Sequence, residues 1–546
     1  MDAVAAGRDR ESCFLGLDSS TQGLKATLVS RRPRVVHELA LNYDADLPAY
    51  GTQGGVHTAD DGLTVTSPAV MWVEALDVLL ERMHEAGWPL DRVAAISGSG
   101  QQHGSVWLQR GARDRLRALD PARRVADQLR GRFAVDASPV WMDTSTAREC
   151  RALEAALGGA QAVADLTGSR AYERFTGNQI AKMQRVNPDA YEQTDRIALV
   201  SSFMASLLLG DVAPIDLSDG SGMNLLDIRR RAWDARALEQ TAPDLARRLG
   251  APVPSHSVLG SIAPYYVRRF GFPADCQVVA FSGDNPNSLA GLRLQEPGDV
   301  ALSMGTSDTL FGSLTDPRPS GREGHVFVNP VDPDAYMAMI VRKNGSLTRE
   351  WIRDLKADGS WDAFALLLEK SPAGNEGHIG FFFREAEITP PLLRPVVRRF
   401  DAGDRPVESF PPATEVRAAV EGQFLAMRLH CGQVGLKPAR ILATGGASAN
   451  QDIVRVMADV LNVSVYVGEQ PNSASLGAAY RALHGWLCAR AKTFIPFGDV
   501  LREAPSFSLA AEPDGRAAAV YDEMMTRYEK LENRIVSEQV LSEDKP

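Results

Sequence analysis

The chain has 546 residues, room for two large domains or for three to four of about 150 residues each. Apolar residues make up 44% and charged residues 23%, close to the globular average, which excludes a globally disordered chain. The net charge of −10 (69 acidic, 59 basic side chains) and the lack of any basic run longer than Arg229-Arg230-Arg231 argue against nucleic acid and anionic membrane as partners.

Met1 to Cys13 is polar and mixed in charge, without the apolar core of a secretory signal. The five cysteines, Cys13, Cys150, Cys276, Cys431 and Cys488, are scattered and form no C-x-x-C pair, so neither a disulfide scaffold nor a zinc ribbon is expected. The apolar stretch 197–209 is interrupted by serines and too short to span a bilayer. The expected location is cytoplasmic.

In chain order, residues 13–17 form an apolar run, Asp18-Ser19-Ser20-Thr21-Gln22-Gly23 a polar turn, and 25–29 a second strand. Residues 35–41 read as a third strand, and Val70, Val73, Leu76, Leu79, Leu80 and Met83 recur at helical spacing. A strand over 93–97 runs into Gly98-Ser99-Gly100-Gln101-Gln102-His103-Gly104. Helices are predicted over 153–166 and 197–209, and a buried strand over 277–281 that meets Ser282-Gly283-Asp284-Asn285-Pro286. A second strand–turn–strand covers 299–314, around Gly305-Thr306-Ser307-Asp308. A strand over 440–443 then meets Gly445-Gly446, a helix runs to Leu461, and 463–467 is a strand. The charged helical pattern 521–540 is expected to cap the outside.

The two hairpins lie about half a chain apart, and both put small hydroxyl residues just after an apolar strand. That repetition predicts an α/β protein of two related domains facing across a cleft, divided as 1–293 and 294–546. No G-x-x-x-x-G-K-[ST] occurs, which excludes a P-loop. Three Gly/Ser/Thr-rich turns at strand ends can instead cradle phosphate through backbone N–H groups and hydroxyls. Each alone is equally an ordinary turn. On residues alone Asp284 is either a general base or a helix N-cap before Pro286, and Asp18 either a metal ligand or an Asx-type turn residue.

Four segments, L-G-L-D-S-S-T-Q-G-L-K (15–25), S-G-D-N-P-N-S-L-A-G (282–291), S-M-G-T-S-D-T-L (303–310) and A-T-G-G-A-S-A-N (443–450), resemble in sequence and order the FGGY carbohydrate kinases. Within that family S-G-S-G-Q-Q-H-G (97–104), T-G-S-R-A-Y-E-R-F-T-G (167–177) and S-D-G-S-G-M-N (218–224) are similar to the eukaryotic members acting on the ketopentose xylulose. The resemblance spans roughly residues 14–485 and implies two actin-like (ribonuclease H-like) ATPase domains. It implies ATP-dependent phosphorylation of D-xylulose to D-xylulose 5-phosphate, with Mg²⁺, by a monomer or homodimer. A kinase for ribulose or a polyol, or a catalytically inactive sugar- or nucleotide-binding protein, is the alternative.

The same resemblance assigns the residues. Asp284 is the implied base, with His103, Arg174, Asp284 and Asn285 on the sugar and Arg170 the competitor of Arg174. Asp18 is implied to hold Mg²⁺ through water, with Thr21, Gln22 and Lys25 near the phosphates. Gly305, Thr306 and Ser307 would cradle the transferred phosphate, and Gly445, Gly446, Ala449, Asn450 and Trp361 would flank the nucleotide. The family pattern is not kept at Ser145, often Arg, or at Lys182-Met183-Gln184-Arg185, where many members have K-apolar-x-W.

Overall fold

The run Cys13–Ser19 (β1) is buried at every position, as a strand covered on both faces must be. In the computed structural model, which describes residues 12–468 and 472–540, it pairs antiparallel with β2 (Gly23–Ser30), and β2 with β3 (Val35–Asn42). β4 (Val93–Gly100) runs parallel to β1 on its other side. Beyond it come β5 (Val258–Ser261) and β6 (Gln277–Val279), giving the order β5-β6-β4-β1-β2-β3. Outer β3 is largely exposed, the mark of an edge.

The chain divides into two compact units. The first holds the described residues of Met1–Gln295, Phe327–Tyr336 and Pro471–Pro505. This differs from one break at 293/294, because the chain returns to the first unit with the helix Ser473–Ala491. Glycine makes that return possible. A Cβ on Gly16 would fall 2.0 Å from the Ser475 carbonyl oxygen and 2.3 Å from the Ala479 nitrogen, so only glycine lets the helix lie on β1.

A second sheet comprises β7 (Asp299–Met304), β8 (Asp308–Leu314), β9 (His325–Val328), β10 (Tyr336–Arg342), β11 (Arg440–Thr444), β12 (Ser464–Val467) and β13 (Ser508–Ala511). Their order is β9-β10-β8-β7-β11-β12-β13, with β7/β8 antiparallel and β7/β11 and β11/β12 parallel. The succession β10-β8-β7-β11-β12-β13 repeats β3-β2-β1-β4-β6-β5 strand for strand. One topology is built twice.

Three local expectations are corrected. The stretch 197–209 begins as strand Thr194–Leu199 and turns helical only at Val200–Leu209, where Ser202 Oγ accepts from the Leu199 N–H at 3.1 Å. Because that segment is almost wholly buried, its apolar run holds no period to separate strand from helix. The helix over 153–166 is two helices, Ala147–Leu157 and Ala160–Thr167, broken by Gly158 and Gly159 at φ 100° and 107°. The C-terminal helix Gly515–Val540 does not merely cap the surface: Tyr521 and Tyr528 are buried, donating to Glu421 Oε1 at 2.6 Å and to the Gly422 carbonyl at 3.0 Å. Among the described residues no helix is long and apolar enough to cross a membrane, and all five cysteines are buried.

Candidate active site

The parallel strands β1, β4 and β6 end on one edge of the first sheet, where open α/β sheets place their ligand groups. Asp18 lies near the end of β1 in register with Ser99, whose Oγ donates to Asp18 Oδ1 at 2.5 Å. Burial pushes the Asp18 carboxyl above its usual range, opposed by the Ser99 hydrogen bond and by Lys25, its cross-strand partner on β2.

Two-residue strand Ser282–Gly283 pairs with Ser99 and Gly100 and delivers the chain to Asp284. Asp284 is the first residue of the helix Asp284–Gly291; the capping position is Gly283, and no side chain caps this helix. The N-cap reading of Asp284 is therefore not what the fold uses. Its Oδ1 accepts from the Asn285 N–H at 2.8 Å and from Asn285 Nδ2 at 3.2 Å. Burial, and next the charge of Asp18, push its pKa up to about 7. Asn285 Nδ2 also donates to Gln102 Oε1 at 2.9 Å.

His103 is buried at a φ of 69°, stacked on Phe175 with ring centroids 4.3 Å apart. Burial and the nearby Arg174 charge hold its pKa down to about 3, so the ring is neutral. Arg170 is engaged by Glu154 at 3.3 Å, whereas Arg174, among the described residues, forms no ion pair. The hairpin turn holding Thr21 and Gln22 closes through Ser20 N–H to the Gly23 carbonyl at 3.0 Å. Gln22 is exposed, and Thr21 Oγ1 accepts from Trp141 Nε1 at 2.8 Å.

The second unit contains a cavity of about 570 Å³ lined in part by Gly305, Trp361, Gly446, Ala449 and Asn450. Four of the residues expected to flank the nucleotide and Gly305 of the phosphate turn thus line one cavity, with Met304 and Ile453 adding apolar surface. Thr306 and Ser307 lie in the β7–β8 turn, and Gly445, at φ 84°, packs against the Met304 carbonyl. Asn450 spends its Oδ1 capping the helix Gln451–Leu461, 3.1 Å from the Asp452 and Ile453 N–H groups. Trp361 opens the helix Trp361–Lys370, half-exposed under the Arg353 guanidinium at 4.8 Å.

Several residues of these sites carry no local sequence signal. Arg349 lines the cavity fully buried, in a bidentate pair with Asp308 at 2.9 and 3.0 Å. Asp308 ends the S-M-G-T-S-D segment, but its partner lies 41 residues on, beyond any local pattern. Gln102 and Asp219 lie inside the segments 97–104 and 218–224 quoted above, but like Trp141 they bond to partners outside their own segments, Asn285, Ser201 and Thr21 respectively.

One topology built twice, with acidic strand ends in one unit and a glycine-lined cavity in the other, is the actin-like ATPase class of fold. Models of the FGGY family of carbohydrate kinases match here, the N-terminal domain over residues 135–291 and the C-terminal domain over 300–486. The chain is 52% identical to the xylulose kinase of Mus musculus, over 98% of this chain and 96% of that one. It is 46% identical to xylulose kinase 2 of Arabidopsis thaliana, over 96% and 98%. The crystal structure of xylulose kinase from Rhodospirillum rubrum superposes with a TM-score of 0.78 at 19% identity, covering 96% of this chain and 99% of that one. The chain belongs to the FGGY family of carbohydrate kinases.

Proposed function

We propose that the chain transfers the terminal phosphoryl group of ATP to D-xylulose, giving D-xylulose 5-phosphate and ADP. The observation that carries this reading is Asp284: a carboxyl tuned to about 7, next to Asn285 on a polar strand edge, in a chain 52% identical to a xylulose kinase. A base of that strength is half-ionised near neutral pH and can take a proton from a sugar hydroxyl. As the hydroxyl oxygen bonds to phosphorus, the bond to the ADP oxygen breaks and the proton passes to Asp284.

Neutral His103 and the cationic Arg174 give the sugar an acceptor and a set of donors, and Asn285 adds an amide beside the base. A ketopentose needs such convergent groups. ATP fits the cavity of the second unit, with Gly305, Thr306 and Ser307 toward the transferred phosphate. Gly445, Gly446, Ala449, Asn450 and Trp361 then border the rest of the nucleotide.

Mg²⁺ fits the donor set of the first unit. Among the described residues no group of three or more His, Cys, Asp or Glu side chains is arranged to hold a metal. Mg²⁺ keeps several waters and takes one or two carboxylates plus substrate phosphates, and Asp18 offers one. When bound, the ion supplies neutralisation of phosphate charge. Thr21, Gln22 and Lys25, on the adjoining hairpin, complete the phosphate side. We place the protein in the cytoplasm, as a monomer or homodimer.

A coupled ADP-release assay over pentuloses, hexuloses and polyols tests the substrate. D-xylulose should show the highest kcat/KM; ribulose or glycerol ahead of it would overturn the assignment.

A further inference from the structure

Beside the sugar site lies a buried acid that the proposed reaction does not use. Asp219, 2% exposed, sits in the short helix Leu217–Gly220. Its Oδ2 accepts from Ser201 Oγ at 2.5 Å, and its backbone N–H donates to Asp216 Oδ1 at 2.9 Å. Its Oδ1 is buried with no hydrogen bond, as is Nε2 of the neighbouring Gln102. Both press on the residue just before the base: a Cβ on Gly283 would fall 2.4 Å from Gln102 Cγ and 2.8 Å from Asp219 Oδ1. An acceptor without a donor adjoins a donor without an acceptor.

We propose that Asp219 is a positioning residue that, through the Gln102 amide, makes Asn285 turn its NH₂ group toward Asp284. An amide has one donor end and one acceptor end. With Nε2 drawn to the Asp219 oxygen, only Oε1 of Gln102 is left for Asn285, and it accepts from Asn285 Nδ2 at 2.9 Å. That same Nδ2 then reaches Asp284 Oδ1 at 3.2 Å. Were Gln102 reversed, two NH₂ groups would meet, and Asn285 would have to present its oxygen to the carboxylate.

The charged groups facing this relay are Asp216, Asp284, Arg481 of the helix Ser473–Ala491 and, beyond Asp284, Asp18. Burial and then Asp216 push the Asp219 carboxyl well above its usual range, and what the relay takes from it is an oxygen that accepts. Asparagine at 219 keeps such an oxygen; leucine does not.

The inference rests on Asp284 as the base, and the test separates the two. Asp219→Asn should stay within about threefold of wild-type kcat, since it keeps the oxygen that Gln102 needs. Asp219→Leu and Gln102→Leu should each lose roughly 10²-fold in kcat with the KM for ATP unchanged, because a small misplacement of reacting groups costs about that much. If both act through one link, the double variant Asp219→Leu/Gln102→Leu should lose no more than the worse single variant. Losses that multiply, wild-type kcat in Asp219→Leu, or an Asp219→Asn as poor as Asp219→Leu would overturn the proposal. Thermal melting checks the fold; if Asp219→Leu does not fold, wild-type kcat in Gln102→Leu overturns it alone. Asp284→Asn runs alongside: an active Asp284→Asn removes the base reading, whereas an inactive one with multiplying losses removes only the positioning role.

Discussion

The Nδ1 atom of His103 lies 2.9 Å from the carbonyl oxygen of Gly222. A carbonyl can only accept, so Nδ1 carries the proton and Nε2 presents a lone pair. The fit is close: a Cβ on Gly222 would fall 3.0 Å from His103 Cε1. His103 is thereby fixed as a neutral acceptor, which the proposed reading assigns to a sugar hydroxyl. His103→Ala should raise the KM for xylulose by roughly 10- to 100-fold, the cost of one lost buried hydrogen bond, and leave the KM for ATP alone. An unchanged sugar KM would remove His103 from the site. With its pKa near 3, this ring should add no inflection to the rate profile around pH 6.5.

Asp284 must be ionised to accept a proton, and its pKa is pushed up to about 7. In the free enzyme kcat/KM for xylulose should therefore fall about tenfold per pH unit below pH 7 and level off above it. Asp284→Asn should lose roughly 10²–10⁴-fold in kcat while xylulose still binds, as titration calorimetry can show. A near-native kcat in that variant, or a profile flat from pH 5 to 8, would end the case for Asp284 as base.

Asp18 is the other carboxyl of this edge, and its expected defect is different. Asp18→Asn keeps the shape and the Ser99 contact but coordinates a divalent cation more weakly. Half-maximal activity should need a higher Mg²⁺ concentration, and added Mg²⁺ should restore part of the rate. Rescue of Asp284→Asn by Mg²⁺, with none for Asp18→Asn, would mean the two roles are exchanged.

Adjacent glycines of the second unit should fail in different ways. Gly445 has φ 84°, and an added Cβ would meet the Met304 carbonyl oxygen at 2.5 Å, so Gly445→Ala should lower the melting temperature. Nothing lies within 4 Å of the Cβ position of Gly446, which lines the cavity of about 570 Å³. Gly446→Val should leave melting unchanged and raise the KM for ATP about tenfold, the lower end of an overpacking cost. A Gly446→Val variant with wild-type ATP kinetics would place the nucleotide elsewhere.

The sequence made the strand–turn–strand frames legible because an apolar run beside a Gly/Ser/Thr turn is a local signal. Strands 13–19 and 299–304 and their turns are where that pattern puts them. What the pattern could not carry were contacts between distant segments. The return of Ser473–Ala491 to the first unit is written in Gly16 and Gly291, whose missing side chains have meaning only once the helix is seen against them. Asp219 reads as part of a small-residue turn, because its link to Gln102 spans 117 residues, the difference between 219 and 102. The C-terminal helix misleads for a related reason. Its charged pattern conceals tyrosines and Glu532, all buried.

That helix contributes a pH-dependent tie within the second unit. His430 is buried between Glu323, 2.5 Å from Nδ1, and Glu532 of the Gly515–Val540 helix, 2.9 Å from Nε2. Burial alone would lower its pKa, but the two carboxylates win and push it up to about 10. A histidine raised above its unfolded value of about 6.5 stabilises the fold fully below that pH, and the contribution is lost as pH rises through the folded value near 10. A tenfold gain in proton affinity on folding is worth about 1.4 kcal/mol, so the loss should be visible by denaturation. Urea melts at pH 6.5, 8 and 10 should show wild-type stability falling across this window more steeply than that of His430→Gln, in which tyrosine and lysine titrations remain but this one is gone. Parallel curves for the two proteins would mean that His430 is neutral in the fold and that the helix is held by Tyr521 and Tyr528 without it.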